Sequence, residues 1–166
     1  MDQQTHNQSI AQSRTQVERR SDRELVVTRL FDGPRHLVFR AWAEAGLFRQ
    51  WWVPEGHGIN LVACDMDVRT GGKYRLEFGA GEADTMAFYG QYLEVVANER
   101  IVWTNDEGDE GAITTVTFAD RDGKTLLTFS ELYPSKQRLD EAMEGSAAGL
   151  PTQLDQLDNL LPTIGQ

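Results

Sequence analysis

Between residues 60 and 132 the chain alternates strand-length apolar segments with very short turns. Strands are expected near Asn60 to Val68, Gly72 to Phe78, Thr85 to Val96, Arg100 to Asn105, Ala112 to Ala119 and Lys124 to Leu132. The dividers are Thr70-Gly71-Gly72, Gly79-Ala80-Gly81, Ala97-Asn98-Glu99, Asp106-Glu107-Gly108-Asp109 and Asp120-Arg121-Asp122-Gly123. All are rich in residues that tolerate turn geometry. A parallel crossover takes about a dozen residues or more, so connections this short join only antiparallel neighbours. The pattern therefore predicts a long antiparallel meander.

The flanking segments supply a further strand and the helices. Glu24 opens ELVVTRLF, a β-branched run that ends in the turn signal Asp32-Gly33-Pro34. Asp32 is expected near the N-cap of a helix with Pro34 in its first turn, after which Leu37, Val38, Ala41 and Trp42 recur at helical spacing. A second short helix, Ala43 to Gln50, runs into Trp51-Trp52-Val53-Pro54. Beyond Pro134, Leu139, Met143, Leu150, Leu154, Leu157 and Leu161 follow steps of 4, 7, 4, 3 and 4, one apolar stripe on a long C-terminal helix. Gly145, Gly149 and Pro151 predict a break or kink inside it, because proline removes a backbone bond and clashes with the previous turn. The order is β-α-α-β6-α, an α+β class with a curved antiparallel sheet of about seven strands. Its buried face needs a cover, which the amphipathic C-terminal helix provides. A helix cannot fill the whole concavity of a strongly curved sheet, and a pocket is expected to remain.

A chain of 166 residues suits one domain. Residues 1–22, rich in Gln and poor in apolar side chains, are expected to form a disordered N-terminal tail, residues 23–161 a single domain, and residues 162–166 a short C-terminal tail. The 26 acidic and 16 basic residues give a net charge of −10 and no cluster of Lys and Arg. This argues against nucleic acid and against an anionic membrane surface as partners. Cys64 is the single cysteine, so no intrachain disulfide or cysteine-based zinc site is available. The N-terminal segment lacks the apolar stretch of a secretory signal, and no apolar run approaches the roughly 20 residues that span a bilayer. A cytoplasmic location is the expectation.

Five stretches carry a family resemblance: VVTRLFDGPRHLVFRAW at 26–42, QWW at 50–52 with the Pro and Gly loop after it, GGKYRLEF at 71–78, GQYLEVVANERIVWT at 90–104, and the ITTVTFADRDGKTLLTFSELY hairpin at 113–133. In this order and spacing they resemble the small bacterial members of the family related to the activator of the ninety-kilodalton heat-shock-protein ATPase. That family sits in the superfamily of START lipid-transfer domains, polyketide cyclases and the major birch-pollen allergen. The resemblance implies a helix-grip fold, with the sheet wrapped around the long C-terminal helix and a cavity between them. Where related sequences often place Gly-Trp in that helix, this chain has Gly149-Leu150-Pro151.

No residue pattern supports nucleophilic catalysis. His6, His36 and His57 are scattered, and Cys64 sits among alternating strand residues as a small core side chain does. The acids Asp65, Asp67, Asp106, Glu107, Asp109 and Glu110 lack the ligand series of a calcium loop, and Gly71-Gly72 does not open a helix as a phosphate cradle would. No metal, cofactor or catalytic residue is assigned. The aromatic residues say more. Strand parity and the helical stripe nominate Trp42, Trp52, Tyr74, Leu76, Phe78, Met86, Phe88, Tyr92, Trp103, Phe118, Phe129, Glu131, Met143, Leu150 and Leu154 as the lining of a pocket for an apolar ligand. On the strand from Thr85 to Val96 both faces are apolar; Met86, Phe88 and Tyr92 are chosen over Tyr89 and Leu93.

The leading expectation is a cofactor-independent protein that binds a small hydrophobic or aromatic molecule between sheet and helix. One alternative is a cyclase or dehydratase in which Glu131 or Glu77 acts as general acid or base beside Arg75, which requires those carboxyl groups to be buried. Another, from the resemblance alone, is a chaperone-linked interaction module. A homodimer is a further candidate, through an apolar patch around Trp51 and Trp52.

Overall fold

The computed structural model describes residues 15–54, 58–79, 85–105, 111–145 and 149–164. Among the described residues eight strands form one antiparallel sheet: β1 (Thr15–Arg19), β2 (Glu24–Phe31), β3 (Asn60–Met66), β4 (Lys73–Gly79), β5 (Thr85–Val96), β6 (Arg100–Thr104), β7 (Ile113–Arg121) and β8 (Lys124–Leu132). Their spatial order is β1-β2-β8-β7-β6-β5-β4-β3. The six strands from β3 to β8 are the expected meander, and β2 closes onto β8 with Val27 opposite Phe129. The turns behave as their residues dictate. Asp122 and Gly123 both adopt positive φ in the two-residue β7–β8 hairpin, the mirror-image turn that matches strand twist, and Asn98 does so between β5 and β6.

The strand count is one more than the sequence predicts, because Thr15–Arg19 of the supposed tail pairs with β2. This five-residue strand carries one apolar side chain, Val17, and lies at the sheet edge, so its ladder and side-chain ties hold it in place of burial. Arg29 donates to the Thr15 hydroxyl at 2.7 Å, and Arg19 meets Asp140 at 2.6 Å. The remainder of that tail lies outside the described residues. At the other end, Leu161–Thr163 form a 3₁₀ turn that folds Ile164 back into the core, so residues 162–164 belong to the domain.

Helix α1 spans Arg35–Ala43 and α2 spans Ala45–Trp51. Pro34, not Asp32, is the N-cap of α1; its extended ψ of 149° sets the entry, and no side chain caps the helix. The C-terminal helix is divided as Gly145 and Pro151 foretell, into α3 (Lys136–Glu144) and α4 (Leu150–Leu160). Ser135 caps α3 by accepting the Arg138 amide, and Pro151 occupies the first turn of α4, where its missing N–H costs nothing.

Helix α4 lies over one half of the concave face. Leu154 and Leu157 are fully buried there with Leu25, Val27, Phe31 and Leu127. Arg29, 4% exposed on β2, anchors the helix by salt bridges to Asp155 at 2.5 Å and Asp158 at 3.0 Å. Gln153 and Gln156 tie its other side to α2: Gln153 donates to the Trp52 carbonyl, and Gln156 to those of Trp51 and Val53. The helix is thus held at both flanks, and the β3–β6 half of the sheet is left without it.

Candidate functional site

Over that uncovered half lies a cavity of about 880 Å³, within the usual range of small-molecule sites. Alternation on the strands builds its floor. On β4 the inward set is Tyr74, Leu76 and Phe78; on β5 it is Met86, Phe88 and Tyr92, while Tyr89 and Leu93 lie exposed on the opposite face. A bulge in β5 between Tyr92 and Glu94 then shifts the register. Trp103 and Ile101 of β6, Phe129 and Glu131 of β8, Trp42 of α1, Trp52 after α2 and Leu150 of α4 complete the wall.

The aromatic rings support one another. Trp42 is the hub, with ring centroids 4.7 Å from Trp51, 5.8 Å from Trp52, 5.9 Å from Trp103 and 6.1 Å from Phe129. Phe48 stacks on Trp52 at 4.7 Å. Trp51 is fully buried, its indole N–H donating to the Ala41 carbonyl at 2.9 Å, and Trp52 faces the cavity. The exposed Trp51–Trp52 patch expected as a dimer surface is therefore not formed: packing around Trp42 has consumed both rings. Tyr74 crosses its strand partner Gly90, where a Cβ would meet the Thr104 carbonyl at 2.0 Å and the Tyr74 ring at 2.8 Å. Glycine at that position lets the ring lie down and its hydroxyl donate to the Thr104 carbonyl at 2.6 Å.

Polar groups gather at the β7–β8 side. Asn105 donates through Nδ2 to Thr114 Oγ1 at 3.0 Å, Thr114 donates to Glu131 Oε2 at 2.7 Å, and the Tyr133 hydroxyl donates to Glu131 Oε1 at 2.5 Å. Tyr92 has its phenol pushed well above the ordinary value, chiefly by burial, so its hydroxyl remains a neutral donor. Cys64 is half-buried outside the cavity, its thiol 3.5 Å from Met66 Sδ and raised in pKa by burial, the reverse of what a nucleophile needs.

Three expected lining residues stand elsewhere. Phe118 has the inward parity but lies under α1, edge-on to Phe39 at 5.4 Å. Leu154 is fully buried between α4 and the sheet. Met143, at the end of α3, is exposed, because the break after it interrupts the stripe that placed it inward. Arg75 and Glu77 pair with each other at 2.6 Å on the strand face opposite Tyr74 and Leu76, so neither serves chemistry in the cavity. Sequence reasoning missed Phe48, Ile59, Met66, Asn105 and Gln153, which also line it. Phe48 was legible as an α2 residue one turn before Trp52. Met66 was hidden by a bulge between Leu61 and Ala63 that reverses strand parity.

Among the described residues no cluster of His, Cys, Asp or Glu is arranged to hold a metal, and no helix is long and apolar enough to cross a membrane. His57 and the acids from Asp106 to Glu110 fall outside those residues.

Residues 32–162 match the family model of the activator of Hsp90 ATPase homolog 1-like protein. The fold is similar to that of a Rhodobacter sphaeroides protein, with a TM-score of 0.82 at 18% identity over 91% of this chain and 99% of that one. It is also similar to a Nitrosomonas europaea protein, with a TM-score of 0.76 at 23% identity over 86% and 96% of the two chains. A Chromobacterium violaceum protein aligns at 28% identity with a TM-score of 0.71, over 85% and 98%. No curated protein matches the chain.

Proposed function

The chain belongs to the activator of Hsp90 ATPase homolog 1-like family, and from that premise we propose that it binds a small hydrophobic molecule in the cavity between the β3–β6 half of the sheet and helix α4. Folds of this kind commonly bind hydrophobic ligands. The observation that carries the reading is the cavity itself, about 880 Å³ walled by Trp42, Trp52, Phe78, Phe88 and Trp103. The cavity opens to solvent, with Met86 and Ile59 exposed at its rim, so an apolar occupant removes large rings from water and gains dispersion contact with them. The rings are braced against one another on α1, α2 and the sheet, so an occupant gains contacts without ordering the wall.

Binding of the neutral fluorophore N-phenyl-1-naphthylamine tests this. One saturable site is expected, with thermal stability rising by about 2.7 kcal/mol at a hundredfold excess over Kd. The variant Phe88→Arg, which sets a cation into the apolar wall at a half-buried position, is expected to lose both effects while staying folded. Equal binding by that variant defeats the reading.

A further inference from the structure

Resting on that binding reading, we propose that the ligand is a neutral apolar molecule carrying a hydrogen-bond-accepting oxygen, a carbonyl or an ether, and that the Tyr92 hydroxyl receives this oxygen at the closed end of the cavity.

The cavity has a direction. On β5 the exposure of the inward residues falls from 62% at Met86, through half-buried Phe88, to 4% at Tyr92. Its neighbour β4 runs the other way and shows the same fall, from half-buried Phe78, which pairs with Met86, to buried Leu76 and Tyr74. At about 3.3 Å per residue, Met86 and Tyr92 lie roughly 20 Å apart along the strand. The mouth is therefore at Met86 and Phe78, and the closed end is at Tyr74 and Tyr92. Between them Leu76 and Phe88 wall a passage suited to an apolar body.

The hydrogen bonds of the deep wall leave one group over. Among the described residues lining the cavity, four are buried and carry a polar side-chain atom: Trp42, Tyr74, Tyr92 and Gln153. Tyr74 donates to the Thr104 carbonyl, and Gln153 to that of Trp52. The Trp42 indole N–H has no partner, but it is sealed among the neighbouring rings and out of a ligand's reach. The Tyr92 hydroxyl makes no hydrogen bond to the described residues, and unlike the Trp42 nitrogen its oxygen is not sealed by protein. A polar group at the dry end of an apolar site is costly while unpaired, and an occupant that pairs it removes that cost.

The chemistry of a phenol sets what the occupant must bring. Its oxygen lone pairs are delocalised into the ring, so it donates a hydrogen bond well and accepts one poorly. Burial, with the Cys64 thiol and the Asp67 carboxylate nearby, keeps the proton on the oxygen. The complement is an acceptor. It is a neutral one, because no Lys, Arg or His stands among the described lining residues to pair with a buried anion.

The test is displacement of N-phenyl-1-naphthylamine by 2-acetonaphthone and by 2-isopropenylnaphthalene, which has a CH2 group where the ketone has its oxygen. Both are measured on the unmodified protein and on Tyr92→Phe, so that the difference in hydrophobicity between the compounds cancels. The substitution is expected to weaken the ketone about tenfold and to change the alkene by less than about twofold. Equal weakening of both compounds, or of neither, overturns the proposal and leaves the cavity reading intact. The ligand-free variant is expected to unfold at the same denaturant midpoint as the unmodified protein; a destabilised or unfolded variant means that the hydroxyl is paired within the fold, and overturns the proposal too. On the unmodified protein, the carbonyl stretch of bound carbon-13-labelled ketone is expected below its frequency in hexane, and a stretch at the hexane frequency overturns it. If neither compound displaces the fluorophore, the binding reading itself falls.

Discussion

The two halves of the concave sheet share one backbone geometry and one rule of alternation, yet one is packed and the other hollow. Over β2, β8 and β7, helices α1, α3 and α4 press Phe39, Leu139, Leu154 and Leu157 onto Leu25, Val27, Phe118 and Leu127. Over β3 to β6 the inward residues are larger and more aromatic; α2 reaches only the β3 edge, where Arg49 donates to the Leu61 carbonyl, and α4 does not descend to fill the space between. The difference lies in where α4 is anchored. Arg29 with Asp155 and Asp158 fixes one flank, and Gln153 and Gln156 fix the other to the carbonyls that end α2. In this fold the position of one helix, set by a few polar ties, decides which apolar residues are core and which are binding site.

The contrast is broken most severely by emptying the packed half. Leu154→Ala or Leu157→Ala is expected to cost about 2–5 kcal/mol in denaturant unfolding, since both side chains are fully buried. Next comes the anchor. Arg29→Ala removes a buried cation from between two carboxylates, one of them (Asp155) largely exposed, so about 2–3 kcal/mol is expected, toward or just below the low end for breaking a buried pair. Equilibrium unfolding measures it, and a loss below about 0.5 kcal/mol would mean that apolar contacts alone seat α4.

In the hollow half the effects reverse. Phe88→Ala is expected to lower stability by about 1 kcal/mol, well under the 3–5 kcal/mol of a fully buried ring, because Phe88 borders the void. The same change is expected to weaken N-phenyl-1-naphthylamine binding about tenfold or more. A large stability loss with intact binding would place Phe88 in the core. The smallest effect concerns the added edge strand. Hydrogen bonds from Arg19 and Lys136 hold the Asp140 carboxyl below its ordinary value. Since the folded value is the depressed one, the tie between β1 and α3 is present above about pH 4 and is lost as pH falls further. Amide exchange in Thr15–Arg19, corrected for its intrinsic pH dependence, is expected to accelerate on acidification and to lose that pH dependence in Asp140→Asn.

Most of this division was legible in the sequence. Turn chemistry located the meander, because Asp122-Gly123 and Ala97-Asn98-Glu99 permit few alternatives, and parity put Tyr74, Leu76 and Phe78 on one face; on β5, where both faces are apolar, parity did not decide between Met86, Phe88 and Tyr92 and the set Tyr89 and Leu93. Parity does not say where along a face the covering helix ends, which is why Phe118 and Leu154 were expected in the cavity and lie in the core. The bulge in β3 that turns Met66 inward has no marker in its residues. Strand β1 escaped notice because it is held by backbone pairing and by contacts of Thr15 with Arg29 and of Arg19 with Asp140, whose partners lie far from residues 15–19 in the sequence. Glu131 was named from the sequence; the Asn105–Thr114 relay that aims it depends on three strands meeting in register.

The central claim is that the hollow half is a binding site and not an inert void. Native mass spectrometry of the freshly purified protein, and of the protein incubated with a panel of neutral apolar compounds, tests it most directly, with Phe88→Arg measured in parallel. The account predicts a one-to-one adduct, released on denaturation and missing from the charged variant. A bare mass throughout, or an adduct that the charge in the wall leaves unchanged, would contradict it.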